Sequence, residues 1–133
     1  EIQASFLNFK LQFLEKWNQE RITIAKTYIN NFANLPIKIS EEVLKGVCHL
    51  FVVQVENRND FIEYLKNNGV QTAIHYPIPD HKQPININKF SNISLEATED
   101  IVQNIVTLPL YPGMGEEKVE HTIQTIRKFY QDK

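Results

Sequence analysis

The feature that most constrains this fold is the opening segment, residues 1–33, which contains neither glycine nor proline. Large apolar residues recur in it at intervals of three or four positions, namely Ile2, Phe6, Phe9, Phe13 and Trp17. That spacing places them on one face of an α-helix. A helix of this length extends roughly 45 Å, which is more than a compact domain of this size needs. We therefore predict one long helix, one end of which packs on something outside this chain.

The composition indicates a globular protein and argues against several functional classes. The chain of 133 residues is 42% hydrophobic and 23% charged, which is typical of one soluble domain. Its formal net charge of −2 and pI of about 6.1 lack the basic excess of a nucleic-acid-binding protein. No apolar stretch approaches the ~20 residues of a membrane-spanning helix, so we expect no membrane insertion.

The cysteine content indicates the compartment. A single cysteine, Cys48, excludes an intramolecular disulfide and is typical of a reducing environment, so we expect a cytoplasmic protein. Neither a helix N-terminus nor a basic cluster lies beside Cys48 in the sequence to lower the pKa of its thiol. We interpret it as a small buried residue.

The rest of the chain alternates between strand and helix patterns. We predict strands at 37–39, 49–55, 70–74 and 105–110, helices at 58–68, 95–104 and 116–130, and a loop at 76–92. This order predicts an α/β fold with a small sheet of about three to four strands flanked by helices.

The sequence also predicts a capping residue for one helix and the apolar face of another. Asn57 is expected to cap the helix at 58–68. The helix at 95–104 should carry Ala97, Ile101 and Ile105 on one apolar face.

Two of the histidines are expected to be structural or solvated. We interpret His49, at the start of a buried strand, as a structural histidine with its hydrogen bonds satisfied. His121 is expected on the polar side of the last helix. The sequence contains neither the CxxC nor the HExxH spacing of a metal site, and we predict no metal ligands.

The segment 75–84 is the best candidate for a functional site. It places His75, Tyr76, His81 and Lys82 on a proline-rich loop after a strand. Rigid scaffolds often present functional residues on such loops. Histidine and tyrosine can donate to a sugar hydroxyl or phosphate, and lysine can neutralise a phosphate. From the residues alone, both ligand contact and an ordinary structural loop remain open.

Five stretches of the chain, in matching order and spacing, resemble the DegT/StrS-type sugar-nucleotide aminotransferases, which are pyridoxal-phosphate enzymes. The loop motif is HYPIPDHKQP at 75–84, most similar to the branch that acts on dTDP-linked 3-keto-6-deoxyhexoses. The other stretches are residues 1–31, 49–77, 106–114 (VTLPLYPGM) and 116–130 (EEKVEHTIQTIRKFY). Together they cover essentially the whole chain.

This resemblance implies the α+β small domain of the aspartate-aminotransferase-like fold. Residues 1–33 would be a helix linking to a large domain missing from this chain, and 34–133 the C-terminal small domain. The family's catalytic lysine, which bonds pyridoxal phosphate, lies in the large domain. The resemblance therefore assigns no catalytic and no cofactor-binding residue here, and no cofactor is expected to bind this chain alone.

The resemblance also implies a substrate site and a reaction. His75, Tyr76, His81 and Lys82 match the family loop that approaches the sugar nucleotide, so we expect them to bind substrate. The intact enzyme would move an amino group, typically from glutamate, to a keto-sugar nucleotide. We expect a homodimer with shared active sites that serves lipopolysaccharide or other surface-glycan biosynthesis.

The start of the chain fits this interpretation. The sequence opens at Glu1 without methionine and is helical in pattern from Ile2, which we interpret as a cut inside a longer protein. A processed N-terminus is the alternative. We expect the coding region ahead of Glu1 to supply the large domain, and the isolated chain to be inactive.

Two interpretations from other classes remain open. The chain could be a stand-alone α/β module that binds a sugar or nucleotide through residues 75–84. It could also be a structural interaction domain that docks on a partner through its long helix.

Overall fold

The predicted long helix is present as α1, Ile2–Phe32, in the computed structural model, which describes residues 1–131. The residues that it buries all lie in its last turns: Ile24, Ala25, Tyr28 and Phe32. In its first half most of the apolar residues are exposed, with Phe6 at 65% and Phe9 at 63% of full exposure, while Phe13 is half-buried. The helix therefore joins the core through one face of its C-terminal half, and its apolar N-terminal half lies open to solvent.

A three-stranded antiparallel sheet follows α1, in the order β1-β2-β3. Its strands are β1 Ile37–Ile39, β2 Phe51–Val55 and β3 Ile105–Leu108. Ile37 lies opposite Val55, and Phe51 lies opposite Leu108. β3 ends earlier than predicted because Pro109 has no N–H with which to continue the ladder.

Three further helices complete an α+β fold. They are α2 Arg58–Asn67, α3 Glu96–Asn104 and α4 Glu116–Gln131. α2, α4 and the end of α1 pack with β2 and β3 around one core. Phe61 of α2 and Ile123 of α4 have no exposed surface, and the Phe61 ring meets Phe129 edge-on at 5.2 Å. None of the helices within residues 1–131 combines the length and apolar character that a membrane crossing requires.

The predicted strand at 70–74 is wrong, because only Ala73 pairs with the sheet. Ala73 and Thr107 exchange two backbone hydrogen bonds, of 3.1 and 2.7 Å, at the free edge of β3. Val70 cannot join this pairing because its N–H donates to a carbonyl of α2 and closes that helix. Gly69, with a φ of +78°, takes the left-handed conformation that this helix ending needs.

Two details of the helices also differ from prediction. Asn57 occupies the N-cap position of α2, but its left-handed φ of +52° replaces the extended backbone of a capping residue, and its side chain makes no capping hydrogen bond. In α3, Ala97 and Ile101 are exposed and Val102 is buried instead. α3 runs directly into β3 at Ile105, so pairing within the sheet sets the rotation of the helix.

The predictions for two residues just before β2 and one on α4 are partly confirmed. His49 is exposed and precedes the strand, so the prediction of a structural histidine in a buried strand is wrong. Cys48 is buried as predicted, with its Sγ 3.1 Å from the Val43 carbonyl oxygen, and burial raises the pKa of its thiol. His121 is exposed as predicted, and its Nε2 lies 2.8 Å from the carbonyl oxygen of Asn68.

Tyr28 makes a buried hydrogen bond whose removal tests the packing of α1. Its hydroxyl donates to the Pro109 carbonyl at 3.0 Å, and burial raises the pKa of Tyr28 to about 12, so the hydroxyl stays protonated at neutral pH. We expect Tyr28→Phe to lower the free energy of unfolding by about 1 kcal/mol, measured by urea denaturation. Tyr111→Phe, at an exposed tyrosine, is the control. Equal losses in the two variants would contradict this account.

The open apolar half of α1 predicts self-association of the 133-residue chain. We expect the chain to form concentration-dependent oligomers in sedimentation velocity, because these side chains bury apolar surface against each other. Phe6→Ser combined with Phe9→Ser should shift the distribution to monomer. The matched control replaces two exposed polar residues of the same half, Gln3→Ser and Lys10→Ser. A wild-type chain that is monomeric at high concentration would overturn the prediction.

Candidate functional site

The loop 76–92 joins the edge of the sheet to α3 and consists of turns. It contains a short 3₁₀ helix, Asp80–Lys82. Two side-chain amides brace this region. Gln83 donates from Nε2 to the Ile78 carbonyl at 3.0 Å, and Asn86 donates from Nδ2 to the carbonyl of the first residue of the 3₁₀ helix at 3.1 Å. The loop is therefore held by its own hydrogen bonds as well as by its neighbours.

His75 and Tyr76 lie where the chain leaves the sheet. The His75 Nδ1 lies 2.9 Å from the Oγ1 of Thr107, a buried residue of β3. The Tyr76 ring packs edge-on against the His75 ring, with centroids 5.4 Å apart, and Tyr76 is 69% exposed. The sheet thus fixes His75, and His75 supports an exposed Tyr76.

His81 and Lys82 meet at a single carboxylate. The His81 side chain is 8% exposed, and its Nε2 lies 3.0 Å from the Oε1 of Glu99. Lys82 donates from Nζ to the other carboxylate oxygen, Oε2. The backbone N–H of Leu95 also donates to Oε1, at 3.2 Å. These four residues form what we name the Glu99 cluster.

The Glu99 cluster keeps its carboxylate ionised. The hydrogen bonds from Lys82, His81 and the Leu95 N–H lower the pKa of Glu99 from 4.5 to about 2. An ionised carboxylate only accepts hydrogen bonds, so His81 carries a proton on Nε2 in this arrangement. The Lys82 side chain is 49% exposed, so a ligand can still reach it.

The four predicted residues are therefore held by two different elements. β3 holds His75, while α3 holds His81 and Lys82 through Glu99. Of the four, Tyr76 and Lys82 offer accessible side chains, and His81 faces inward.

Glu99 is a residue of the site that the sequence did not predict. It lies 18 residues beyond His81, and a glutamate in the first turn of a helix is ordinarily explained by the helix dipole. Nothing local distinguishes it from Glu96. The one available signal is its position just after the helix start, from which a side chain can reach back to an unpaired backbone N–H.

No lysine within residues 1–131 has the buried environment expected of one that bonds pyridoxal phosphate. A lysine that bonds to this cofactor is activated by desolvation, whereas every lysine within residues 1–131 is exposed. Lys82 is already paired with Glu99. Over the same range, no group of three or more His, Cys, Asp or Glu residues could hold a metal ion. The loop can offer a ligand hydrogen bonds and a partly neutralised positive charge.

A separate groove of about 1090 Å³ lies between α1 and the start of α4. Its lining combines apolar residues such as Ile24 and Met114 with acidic ones such as Glu20 and Glu116. Glu20 accepts a hydrogen bond from the Gly113 N–H at 3.0 Å, which ties the two walls together. None of the four predicted site residues lines this groove.

The sequence matches a known family over nearly its whole length. Residues 1–127 match the profile of the DegT/DnrJ/EryC1/StrS aminotransferase family. Over 133 residues the chain is 38% identical to the dTDP-3-amino-3,6-dideoxy-alpha-D-galactopyranose transaminase of Aneurinibacillus thermoaerophilus. That match covers 97% of this chain and 36% of the transaminase.

Solved structures agree with the fold. DesV from S. venezuelae superposes with a TM-score of 0.88 at 29% identity, over 96% of this chain and 35% of DesV. NtdA from Bacillus subtilis, solved with bound cofactor PMP, gives 0.81 at 30% identity, over 90% of this chain and 29% of NtdA. The chain thus spans about a third of the length of the relatives that it matches.

The lowered pKa of Glu99 predicts how the free energy of unfolding changes at acidic pH. A carboxyl group with a pKa of about 2 when folded and an ordinary value of 4.5 when unfolded stabilises the fold above about pH 4.5. This contribution is lost as the pH falls from 4.5 towards 2. We expect Glu99→Gln to flatten the fall in unfolding free energy over that interval, measured by urea denaturation at a series of pH values.

Glu96→Gln is the matched control for this experiment. It removes the same charge from the same helical turn. We expect it to leave the acid limb close to that of the wild type. If the two variants give the same pH dependence, the assigned hydrogen bonds of Glu99 are not present in solution.

Proposed function

Because the chain belongs to the DegT/DnrJ/EryC1/StrS aminotransferase family, we propose that it forms the C-terminal part of a longer sugar aminotransferase. The whole enzyme would transfer an amino group from an amino acid, with glutamate as the donor, to a keto-sugar nucleotide. The observation that carries the proposal is the 38% identity to a dTDP-amino-sugar transaminase over 97% of this chain. A dTDP-linked 6-deoxyhexose carrying a 3-keto group is the substrate class that this relationship favours.

In this proposal the cofactor is held elsewhere in the enzyme. Pyridoxal phosphate would supply the electron sink for amino transfer, and the lysine that holds it would lie outside this chain. The exposed lysines of residues 1–131 support that division. We further propose a cytoplasmic homodimer whose product enters lipopolysaccharide or other surface glycans.

The same proposal assigns a partner to the open surfaces of α1. Residues 1–33 would link to an upstream large domain, and residues 34–133 would form the small domain. Phe6 and Phe9 are exposed in a protein that spans only about a third of its relatives' length. We assign this apolar half of α1, and the adjoining groove beside α4, to contact with that large domain.

The loop 76–92 is the proposed substrate-binding element. Tyr76 would reach the sugar nucleotide directly, because its side chain is accessible, and Lys82 would lie at the site with its charge paired to Glu99. His75 and His81 would lie at the edge of the site and support their neighbours, His75 beside Tyr76 and His81 beside Lys82. Hydrogen-bond donors on a braced loop suit recognition of sugar hydroxyls, which need fixed donor positions.

Tyr76 provides the test of this assignment in the full-length enzyme. We expect Tyr76→Ala to raise the KM for the nucleotide sugar about tenfold, which corresponds to a lost contact of about 1.4 kcal/mol. The half-reaction with the amino donor alone should keep its wild-type rate. Steady-state kinetics and single-turnover absorbance of the cofactor measure the two quantities separately.

Two controls complete this experiment. Tyr111→Phe alters an exposed tyrosine outside the loop and should change neither quantity. The isolated 133-residue chain should show no amino transfer. An unchanged KM for the nucleotide sugar in Tyr76→Ala would remove the loop from the substrate site, and amino transfer by the isolated chain would overturn the proposed division of the enzyme.

A further inference from the structure

We propose that Glu99 is the positioning residue of the substrate loop, because its one carboxylate holds both His81 and Lys82 against the start of α3. This inference rests on the proposed function, in which the loop 76–92 meets the nucleotide sugar. It adds a residue outside the loop to the machinery of the site. Glu99 acts through its partners and is not proposed to touch substrate.

The first argument is the number of donors that converge on this side chain. The Oε1 atom lies 3.0 Å from the His81 Nε2 and accepts from the Leu95 N–H at 3.2 Å, while Oε2 accepts from the Lys82 Nζ. Charge-assisted hydrogen bonds of this kind are shorter and stronger than neutral ones. A single side chain therefore fixes two consecutive residues of the loop and the first turn of α3.

The second argument is where these contacts lie along the chain. His81 and Lys82 precede Glu99 by 18 and 17 residues, and the intervening segment consists of turns with local hydrogen bonds. Contacts such as Asn86 to Asp80 brace the loop internally but do not tie it to a regular element. The Glu99 cluster supplies that tie, as the bond between His75 and Thr107 does at the other end.

The third argument concerns charge. The Lys82 ammonium would be the obvious partner for a substrate phosphate, but Glu99 already neutralises it. The His81 ring is 8% exposed and directs its Nε2 at Glu99, so this nitrogen does not face a ligand. These two residues therefore serve the site mainly by holding the loop in place. Tyr76 is left as the more accessible contact.

The test compares Glu99→Gln with Glu96→Gln in the full-length enzyme. The amide cannot accept from His81 and Lys82 at once, because one of its two positions is an NH₂ donor. We expect Glu99→Gln to raise the KM for the nucleotide sugar about tenfold and to leave the amino-donor half-reaction within about twofold of wild type. Glu96→Gln removes the same charge and should change neither.

A double-mutant cycle with Lys82→Met separates positioning from direct binding. Lys82 is half exposed, so Lys82→Met is expected to fold even if the Glu99 variant does not. If Lys82 acts through Glu99, the double variant should be no worse than Glu99→Gln alone. If Lys82 binds the nucleotide sugar independently, the two effects on KM will multiply, and the proposal is overturned.

The remaining outcomes are also decisive. Equal losses in both half-reactions would assign Glu99 a purely structural role and overturn the proposal. A wild-type KM in Glu99→Gln would do the same. Failure of the proposed function is seen separately in Tyr76→Ala, since an unchanged KM in that variant rejects the loop as a substrate element whatever Glu99 does.

Discussion

The packing of the last turns of α1 on β2 is the contact on which the rest of the structure depends. Tyr28 has no exposed surface, its ring centroid lies 5.2 Å from that of Phe51, and its hydroxyl donates to the Pro109 carbonyl. One side chain therefore joins the long helix, the central strand and the end of β3. Since β3 also pairs with Ala73, the start of the candidate loop takes its position from this core.

The candidate site is assembled from elements that are far apart in sequence, and at one end of it Lys82 and Glu99 neutralise each other's charge. At one end a histidine contacts a buried threonine of the sheet, and at the other a histidine and a lysine share a glutamate of α3. Neither end contains the covalent chemistry of an aminotransferase. The proposed division between a substrate loop here and a cofactor pocket elsewhere is physically reasonable, because a rigid frame for substrate can be built separately from the pocket that holds the cofactor.

How much could be predicted from the sequence depended on whether the signal was local. The absence of glycine and proline, with apolar residues every three or four positions, was sufficient to predict α1 and its bounds. The strand at 70–74 could not be excluded in this way. Its apolar pattern does not reveal that the Val70 N–H already closes α2. The buried face of α3 was also predicted wrongly, because the pairing of Ile105 in the sheet sets the rotation of that helix.

The candidate site shows the same limit. The motif at 75–84 identified the loop by resemblance, but which side chains it presents follows from contacts over long sequence separations. In the sequence Lys82 has the pattern of a free cation, whereas in the structure it is paired with Glu99. Local pattern assigns residues to elements, whereas the partner of a charged side chain is a property of the folded chain.

The continuity of α1 has a mechanical consequence. Its 31 residues form one uninterrupted rod without a glycine or proline at which bending could concentrate. One end is clamped in the core and the other projects into solvent, so the helix behaves as a lever. A tilt of about two degrees at the projecting end displaces the opposite end by about 1.5 Å over this length. Close-packed interiors transmit strain. A small rotation of any partner bound to the projecting end of α1 would therefore shift the sheet and its loop together.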